Sequence, residues 1–413
     1  MKRRISILLS ILLVLTMLLS VVAGCDKNDE EPEQTKAPES EHNNTDTSKE
    51  PENSDTEDPQ TKGPEPFKVG VLVADVSGEE ALGFRNYYEN YVAKQYDIEF
   101  LYSEQLTDAA EERSAIEKFA AQGVKAIISL SSSDRAMQIE TCAQYDVYYA
   151  VASGMLDEDR FEQFKGNEYF VGQIGPSMET EYEAGYNMGK FFADKGVGKV
   201  ALYGAFIPNP MHVYRAAGVL SGLGLTYGGT DEKDAVVGQI FGDQGINLEK
   251  VAGDNVELVA YFQGFGDTTT DELNAVIQSE PEAFISVGMA TTFFTQQLNT
   301  AGIDFSDIDS FTSSNREAME DGHLVYLAGK YSSSIGPVIA AVINAVEGHP
   351  VRDGNDAVSI SQNYKVATDI ETYDKYFVAD QGDSPIYDKA TLDELIGESV
   401  TYEEFKGKVE SID

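Results

Sequence analysis

Tryptophan is absent from this 413-residue chain, and cysteine and histidine occur only two and four times. Two cysteines cannot build a disulfide framework, and no Cys-x-x-Cys pair is present to hold zinc. One of the four histidines lies in an acidic, proline-rich stretch, so general-base material is scarce. No G-x-S-x-G elbow, H-E-x-x-H pair or Walker loop occurs. The glycines at 222, 224, 228 and 229 follow a helical segment rather than a strand, which excludes a dinucleotide loop. The acidic and threonine-rich cluster at 267–272 reads as helix capping, not as a metal site. No enzyme activity, cofactor or metal is expected. Basic residues are also few, 30 Lys and Arg against 71 Asp and Glu, a net charge of −41. A phosphate backbone needs a basic face, so a nucleic-acid partner is excluded. Electrostatic adhesion to an anionic membrane surface is disfavoured for the same reason.

The charge is unevenly spread. Residues 1–25 carry three bases and no acid, whereas residues 26–66 carry 14 acids, four Lys and six prolines. The first segment has a basic start, an apolar run from Ile5 and small residues before a cysteine, which reads as a secretory signal peptide. Its ending, Val22-Ala23-Gly24-Cys25, resembles a lipobox, the cleavage signal of bacterial lipoproteins. That resemblance implies that Cys25 becomes the first mature residue and carries lipid. An uncleaved membrane anchor is the alternative, and either one tethers the chain outside the membrane. Residues 26–66 have almost no apolar content and are expected to form a disordered acidic linker. Such a spacer suits the thick wall of a Gram-positive cell. Cys142, in a helical pattern, is expected to be a buried apolar side chain.

From Phe67 the pattern changes to short apolar runs alternating with helical periodicity. Strands are expected at 68–74, 96–102, 124–130 and 147–152, with helices between them. The alternation restarts at 178–195, a helix with Gly185 and Gly189 one turn apart, a spacing that permits close approach. Strands follow at 199–203, 257–262, 283–287, 308–312 and 324–328, and a helix at 335–347. The fold class is therefore α/β, with two doubly wound, Rossmann-like lobes. Ligands of such sheets bind beyond the carboxyl ends of the strands, so residues following strands are the site candidates.

Three stretches carry a resemblance to a known family over residues 67–365. They are KVGVLVADVSGEEALGFRNYYENY, then GKVALYGAFIPNPMHVYRAAGV with Arg215 and Gly218 in an Arg-x-x-Gly helix, and GHLVYLAGKYSSSIGPVIAAVINAVEG. In this order they resemble the type 1 periplasmic binding proteins, the ribose- and galactose-binding group related to the lac-repressor ligand domain. The resemblance implies two lobes joined by three crossovers, expected near 173–176, 330–332 and 362–368. The first lobe would be 67–174 plus 331–365, and the second 175–330 plus 366–413, with the tail packed on the second lobe. It also implies an extracytoplasmic solute-binding lipoprotein that captures a small polar solute, sugar or sugar-like, between the lobes. Its partners would be that solute and an ABC transporter permease, with the protein itself a monomer.

Candidate ligand contacts in the first lobe are Asp75, Ser77, Asp134 and Ser153. In the second lobe they are His212, Phe265, Met289, Ser313 and Lys330. Asp75 could instead cap the next helix. Arg215 is expected to anchor its helix rather than touch ligand. Lys330, at a strand end beside the hinge, is placed to donate to a hydroxyl or carboxylate. The first loop carries Glu80 and Ala81 where sugar binders of the family place aromatic rings. Gly288-Met289 stands in place of an Asn-Asp pair, and Ser replaces the Asp expected near 313–314. Two other readings share the architecture: a nucleoside-binding lipoprotein of the basic membrane protein group, and a ligand-sensing partner of a receptor kinase. The acidic balance favours a neutral polar solute.

Overall fold

A computed structural model describes residues 66–413 apart from 205, 208, 265–267, 381–383 and 413. The signal-like segment, Cys25, the acidic stretch and Phe265 therefore lie outside the described residues. The described chain folds around two six-stranded sheets. The first contains β1 (Phe67–Val73), β2 (Ile98–Gln105), β3 (Ala126–Leu130), β4 (Tyr148–Val151), β5 (Phe170–Gly175) and β13 (Val358–Ser361). Their spatial order is β13-β5-β4-β3-β1-β2, and all pairs are parallel. The second sheet contains β6 (Lys199–Tyr203), β9 (Glu257–Phe262), β10 (Ala283–Ser286), β11 (Asp304–Ser310), β12 (Leu324–Lys330) and β14 (Lys365–Ala367). Its order is β14-β12-β11-β10-β6-β9, with only β14 antiparallel to its neighbour. A small hairpin of β7 (Thr226–Tyr227) and β8 (Val251–Ala252) stands apart.

Each sheet reverses its winding once, beside β1 in the first and beside β6 in the second. The strands there are apolar and buried because helices cover both faces, as parallel sheets require. Helix α1 (Glu79–Asn86) continues through a π-helical stretch, Tyr87–Val92, whose tyrosines anchor it. Tyr88 Oη donates to the carbonyl of Ile335 at 2.9 Å, and Tyr87 Oη to that of Tyr387 at 2.7 Å. Helix α2 (Ala109–Ala121) is capped by Asp108, and α3 (Arg135–Gln144) by Asp134, each carboxylate accepting from free backbone amides of the first turn.

The chain passes between the sheets after β5, after β12 and after β13, near the three expected positions. It crosses once more, between α12 (Ile370–Ala379) and α13 (Lys389–Asp393). This corrects the expected seat of the tail. Only α12 packs on the second sheet, through Tyr373. Leu392 and Leu395, and Phe405 and Val409 of α14 (Tyr402–Ile412), join the core of the first sheet instead. Asn344 holds them there: its amide donates to the carbonyl of Leu395 at 2.8 Å and accepts from Gly397 N at 2.9 Å. The short acidic helices hid this destination, because their few apolar residues do not say which face they fill.

Helices α5 (Met178–Asp194) and α6 (Pro210–Gly222) meet at the distance that Gly185 and Gly189 suggested. A β-carbon at Gly185 would sit 2.0 Å from the carbonyl oxygen of Arg215, and one at Gly218 would sit 2.1 Å from that of Tyr182. Both clashes are with backbone, which cannot rotate away. Gly218→Ala is therefore expected to cost about 1–3 kcal/mol or more, read as a lower urea midpoint, whereas Gly238→Ala, in a helix interior where the added β-carbon meets nothing within 4 Å, should raise the midpoint slightly.

Candidate functional site

The carboxyl ends of both sheets face one another across a cleft, which encloses a cavity of about 390 Å³. The first lobe contributes the end of β1 and the loop after it, including Asp75 and Ser77. The start of α1 adds Glu79, Glu80, Ala81 and Phe84, and Leu130 and Ser153 complete that wall. The second lobe contributes Met289, Thr291 and Thr292 from the turn into α9 (Ala290–Ala301), and Asp309 from β11. Thr312, Ser314 and Asn315 come from the start of α10 (Ser313–Glu320). This is the volume of a small-molecule site, placed where open α/β sheets bind ligands.

The lobes touch across the cleft through two neighbouring glutamates. Glu80 Oε1 lies 2.8 Å from Lys330 Nζ and accepts from Ser310 Oγ at 2.9 Å. Glu79 accepts from Ser314 N at 3.1 Å and from Ser314 Oγ at 2.6 Å. Burial pushes the Glu80 carboxyl up, but the Lys330 ammonium and the Ser310 hydroxyl outweigh it and hold the group below its ordinary value. Glu79 is likewise lowered, its bonds to Ser314 overcoming partial burial.

Behind these lie two aspartates on one strand. Asp307 accepts from Ser286 Oγ at 2.8 Å and from Thr291 N and Oγ1 at 2.9 and 3.0 Å. Asp309 accepts from Ser310 N at 2.7 Å and from Asn315 Nδ2 at 3.2 Å. Burial, then the negative charges of Glu80 and Asp307, push the Asp309 carboxyl up to about 7. Burial also raises Asp307.

Each expected site residue among the described residues has a definite place. Asp75 lines the cavity and closes a turn, accepting from Ser77 N and Gly78 N, both at 3.0 Å; it does not cap the helix that follows, whose N-cap is Gly78 with no side-chain bond. Ser77, Ser153 and Met289 line the cavity. Met289 has φ 75°, a left-handed conformation unusual for a long side chain, in the cavity wall. Asp134 is not among the lining residues; its carboxylate caps α3 by accepting from Met137 N at 3.0 Å. His212 is buried against Phe206 with ring centroids 4.6 Å apart, and burial, with Arg215 nearby, drives its pKa well below the usual range. It is not among the lining residues either. Ser313 is an exposed first residue of α10, and its neighbours Thr312 and Ser314 line the cavity instead. Lys330 faces the cleft boundary but is engaged by Glu80 and lies 5.3 Å above the Phe84 ring. It lines a much smaller cavity of about 20 Å³ at the hinge, with Ser153, Pro176 and Gln362.

Arg215 is an anchor, as expected. It donates to Glu181 at 2.6 Å, to the carbonyl of Val287 at 2.8 Å and to Tyr364 Oη at 2.7 Å. Asp309, Thr291 and Asn315 had not been expected in the wall. The strand expected at 308–312 is β11 at Asp304–Ser310, so its carboxyl end is Asp309–Ser310 rather than the serines beyond 312. The apolar residues Ile308 and Phe311 suggested the later placement. A buried strand with acids at alternate positions, Asp307 and Asp309, was the available signal. Among the described residues, no cluster of His, Cys, Asp and Glu is arranged to hold a metal ion, and no helix is long and apolar enough to cross a membrane.

No protein-family model and no curated protein matches the sequence. Solved structures do match. The periplasmic binding protein component of the arabinose ABC transporter from Shewanella sp. ANA-3, bound to arabinofuranose, aligns with a TM-score of 0.54 at 17% identity, over 76% of this chain and 95% of that one. An ABC transporter solute-binding protein from Bacillus halodurans C-125 with bound myo-inositol aligns with a TM-score of 0.56 at 15% identity, over 76% and 98%. One from Actinobacillus succinogenes 130z with bound D-allose gives 0.54 at 14% identity, over 75% and 100%. The fold is that of the type 1 periplasmic binding proteins.

The raised Asp309 has a consequence for stability. An acid whose folded pKa lies above its unfolded value of 3.8 favours the folded state when protonated, and that contribution is lost as pH rises through about 7. Asp309→Asn is therefore expected to raise the melting temperature of the ligand-free protein at pH 8, with the gain shrinking toward pH 4. A melting temperature at pH 8 equal to or below that of the parent would contradict this account.

Proposed function

We propose that the protein is an extracytoplasmic solute-binding lipoprotein that captures a small polar solute, sugar or sugar-like, between its lobes for an ABC importer. The observation that carries this reading is the cavity of about 390 Å³, bounded by strand ends and helix starts of both lobes. A site divided between two lobes that share a hinge favours capture by closure. The similar solved proteins bind arabinofuranose, myo-inositol and D-allose at the same level of fold similarity, which supports a hydroxylated ligand. We place the ligand against Asp75, Ser77, Ser153 and Met289 from the expected set, together with Asp309 and Asn315. The proposed organisation is a signal peptide at 1–25, a linker at 26–66, and two lobes from 67 onward. The first lobe takes 67–174, 331–361 and the end of the tail; the second takes 175–330 and the segment from 365 through α12.

Thermal unfolding of the full chain, screened against sugars, polyols, nucleosides and amino acids, tests the binding reading. A ligand that binds only the folded state raises the melting temperature by mass action, by about 2.7 kcal/mol of stability at a hundredfold excess over Kd. One chemical class should shift the melt; no shift from any class would overturn the reading. The anchor is tested separately. Cells expressing the chain should incorporate a labelled fatty acid into it, and Cys25→Ser should abolish that label; a label that persists in the variant would overturn the assignment of Cys25.

A further inference from the structure

The wall of the large cavity carries four carboxylates, from Asp75, Glu79, Glu80 and Asp309. Among the described residues that line it, none is Lys, Arg or His. Cations close to the wall are already engaged: Lys330 with Glu80 at 2.8 Å, Arg215 with Glu181 at 2.6 Å, and Arg135 with the carbonyls of Ser131, Ser153 and Met155. Wall hydroxyls are engaged too. Ser314 Oγ donates to Glu79, Ser77 Oγ to Asp75 and Thr291 Oγ1 to Asp307. Thr312 Oγ1 accepts from Asn315 N at 3.2 Å.

Asn315 adds an independent observation. It is 1% exposed and belongs to the cavity wall. Its Nδ2 donates to the carbonyl of Ser310 at 2.7 Å and to Asp309 at 3.2 Å, which fixes Oδ1 as the acceptor. That Oδ1 has no hydrogen-bond partner. A buried acceptor left unmatched costs free energy and calls for a donor. The hydroxyls of Ser153 and Thr292 remain as donors, but the wall's charged groups are all acceptors and its charge is negative. Phe84, Leu130, Val73 and Met289 supply an apolar surface beside these acceptors.

We infer that the cleft takes a hydroxylated solute that also bears an ammonium group, of the amino-sugar or aminocyclitol class, with Asp309 as its counter-ion and Asn315 Oδ1 as a second acceptor. This rests on the solute-binding reading above and narrows it: a wholly neutral sugar supplies hydroxyl donors but leaves the wall charge unmatched. A cation beside Asp309 offsets the repulsion from Glu80 and Asp307 that the ligand-free protein bears. Charge-assisted hydrogen bonds of this kind are about twice as strong as neutral ones.

The test is a set of matched pairs read by thermal shift and calorimetry on the full chain at neutral pH. D-glucosamine is compared with D-glucose, D-galactosamine with D-galactose, and scyllo-inosamine with scyllo-inositol. Calcium chloride serves as the control for a metal. The amine member of at least one pair should bind about tenfold or more tightly than its neutral counterpart. Asp309→Asn should reduce that preference to within about threefold while the melt stays cooperative. Glu79→Gln, at the exposed rim, serves if the first variant does not fold and should also reduce the preference. Equal or tighter binding of the neutral members, or of a neutral solute from the wider screen, overturns the charge assignment and leaves solute binding intact. A shift with calcium alone overturns it in favour of a metal. No binding by any compound in either panel overturns both readings.

Discussion

The contact between Glu80 and Lys330 sets the electrostatics of the whole cleft. Glu80 stands at the start of α1, where the helix amides favour an acid, but its carboxylate reaches across to the ends of β11 and β12. Lys330 lets it stay ionised in a partly buried position, and Ser310 adds a second partner. The pair ties the first-lobe loop to the second sheet, and removing either member would leave the other charge unmatched. It also uses up the cation that the sequence offered for a ligand. Burial, then the negative charges of Glu80 and of Asp307, push up the Asp309 carboxyl behind the pair.

A second buried pair serves the scaffold. Arg215 and Glu181 are almost fully buried, and their charges are matched by one another, by Tyr364 and by the carbonyl of Val287. Those partners lie on α5, at the end of β10 and in the third passage between the sheets. The same helix turn carries Gly218, which lets α5 approach. The Arg-x-x-Gly pattern thus joins helix packing to the hinge, and an arginine so placed is held by the scaffold through each of its three nitrogens.

Much of this was legible in the sequence, and the gaps have physical causes. Apolar β-branched runs such as 68–74 and 199–203 mark buried parallel strands, because covering both faces leaves no room for polar residues. The close approach of Gly185 and the inert setting of Cys142, whose thiol burial pushes up, were visible for similar reasons. Strand β11 escaped because its acids are buried and matched by donors from other segments, and sequence periodicity carries no record of such partners. That one shift in register moved the expected site from Asp309 to Ser313. The π-helical tyrosines and the tail on the first sheet escaped because long-range contacts decide them: Tyr87 meets Tyr387, and Asn344 meets Leu395.

Composition alone favoured a neutral solute, since a chain of net charge −41 repels anions. Geometry carries that argument one step further. Charge spread over an exposed surface is screened within about 8–10 Å at physiological salt and says little about a ligand. Charge lining a concave wall with apolar surroundings is screened less, and the cleft concentrates its field. The relevant quantity is therefore the balance inside the cavity, where Glu80 is paired with Lys330 and the other three carboxylates face no lining cation among the described residues. An ionised Asp309 costs the ligand-free fold stability, so a carboxylate there makes physical sense when a bound partner repays that cost. A neutral solute would bury the charge more deeply and increase the cost, whereas an ammonium group reverses its sign.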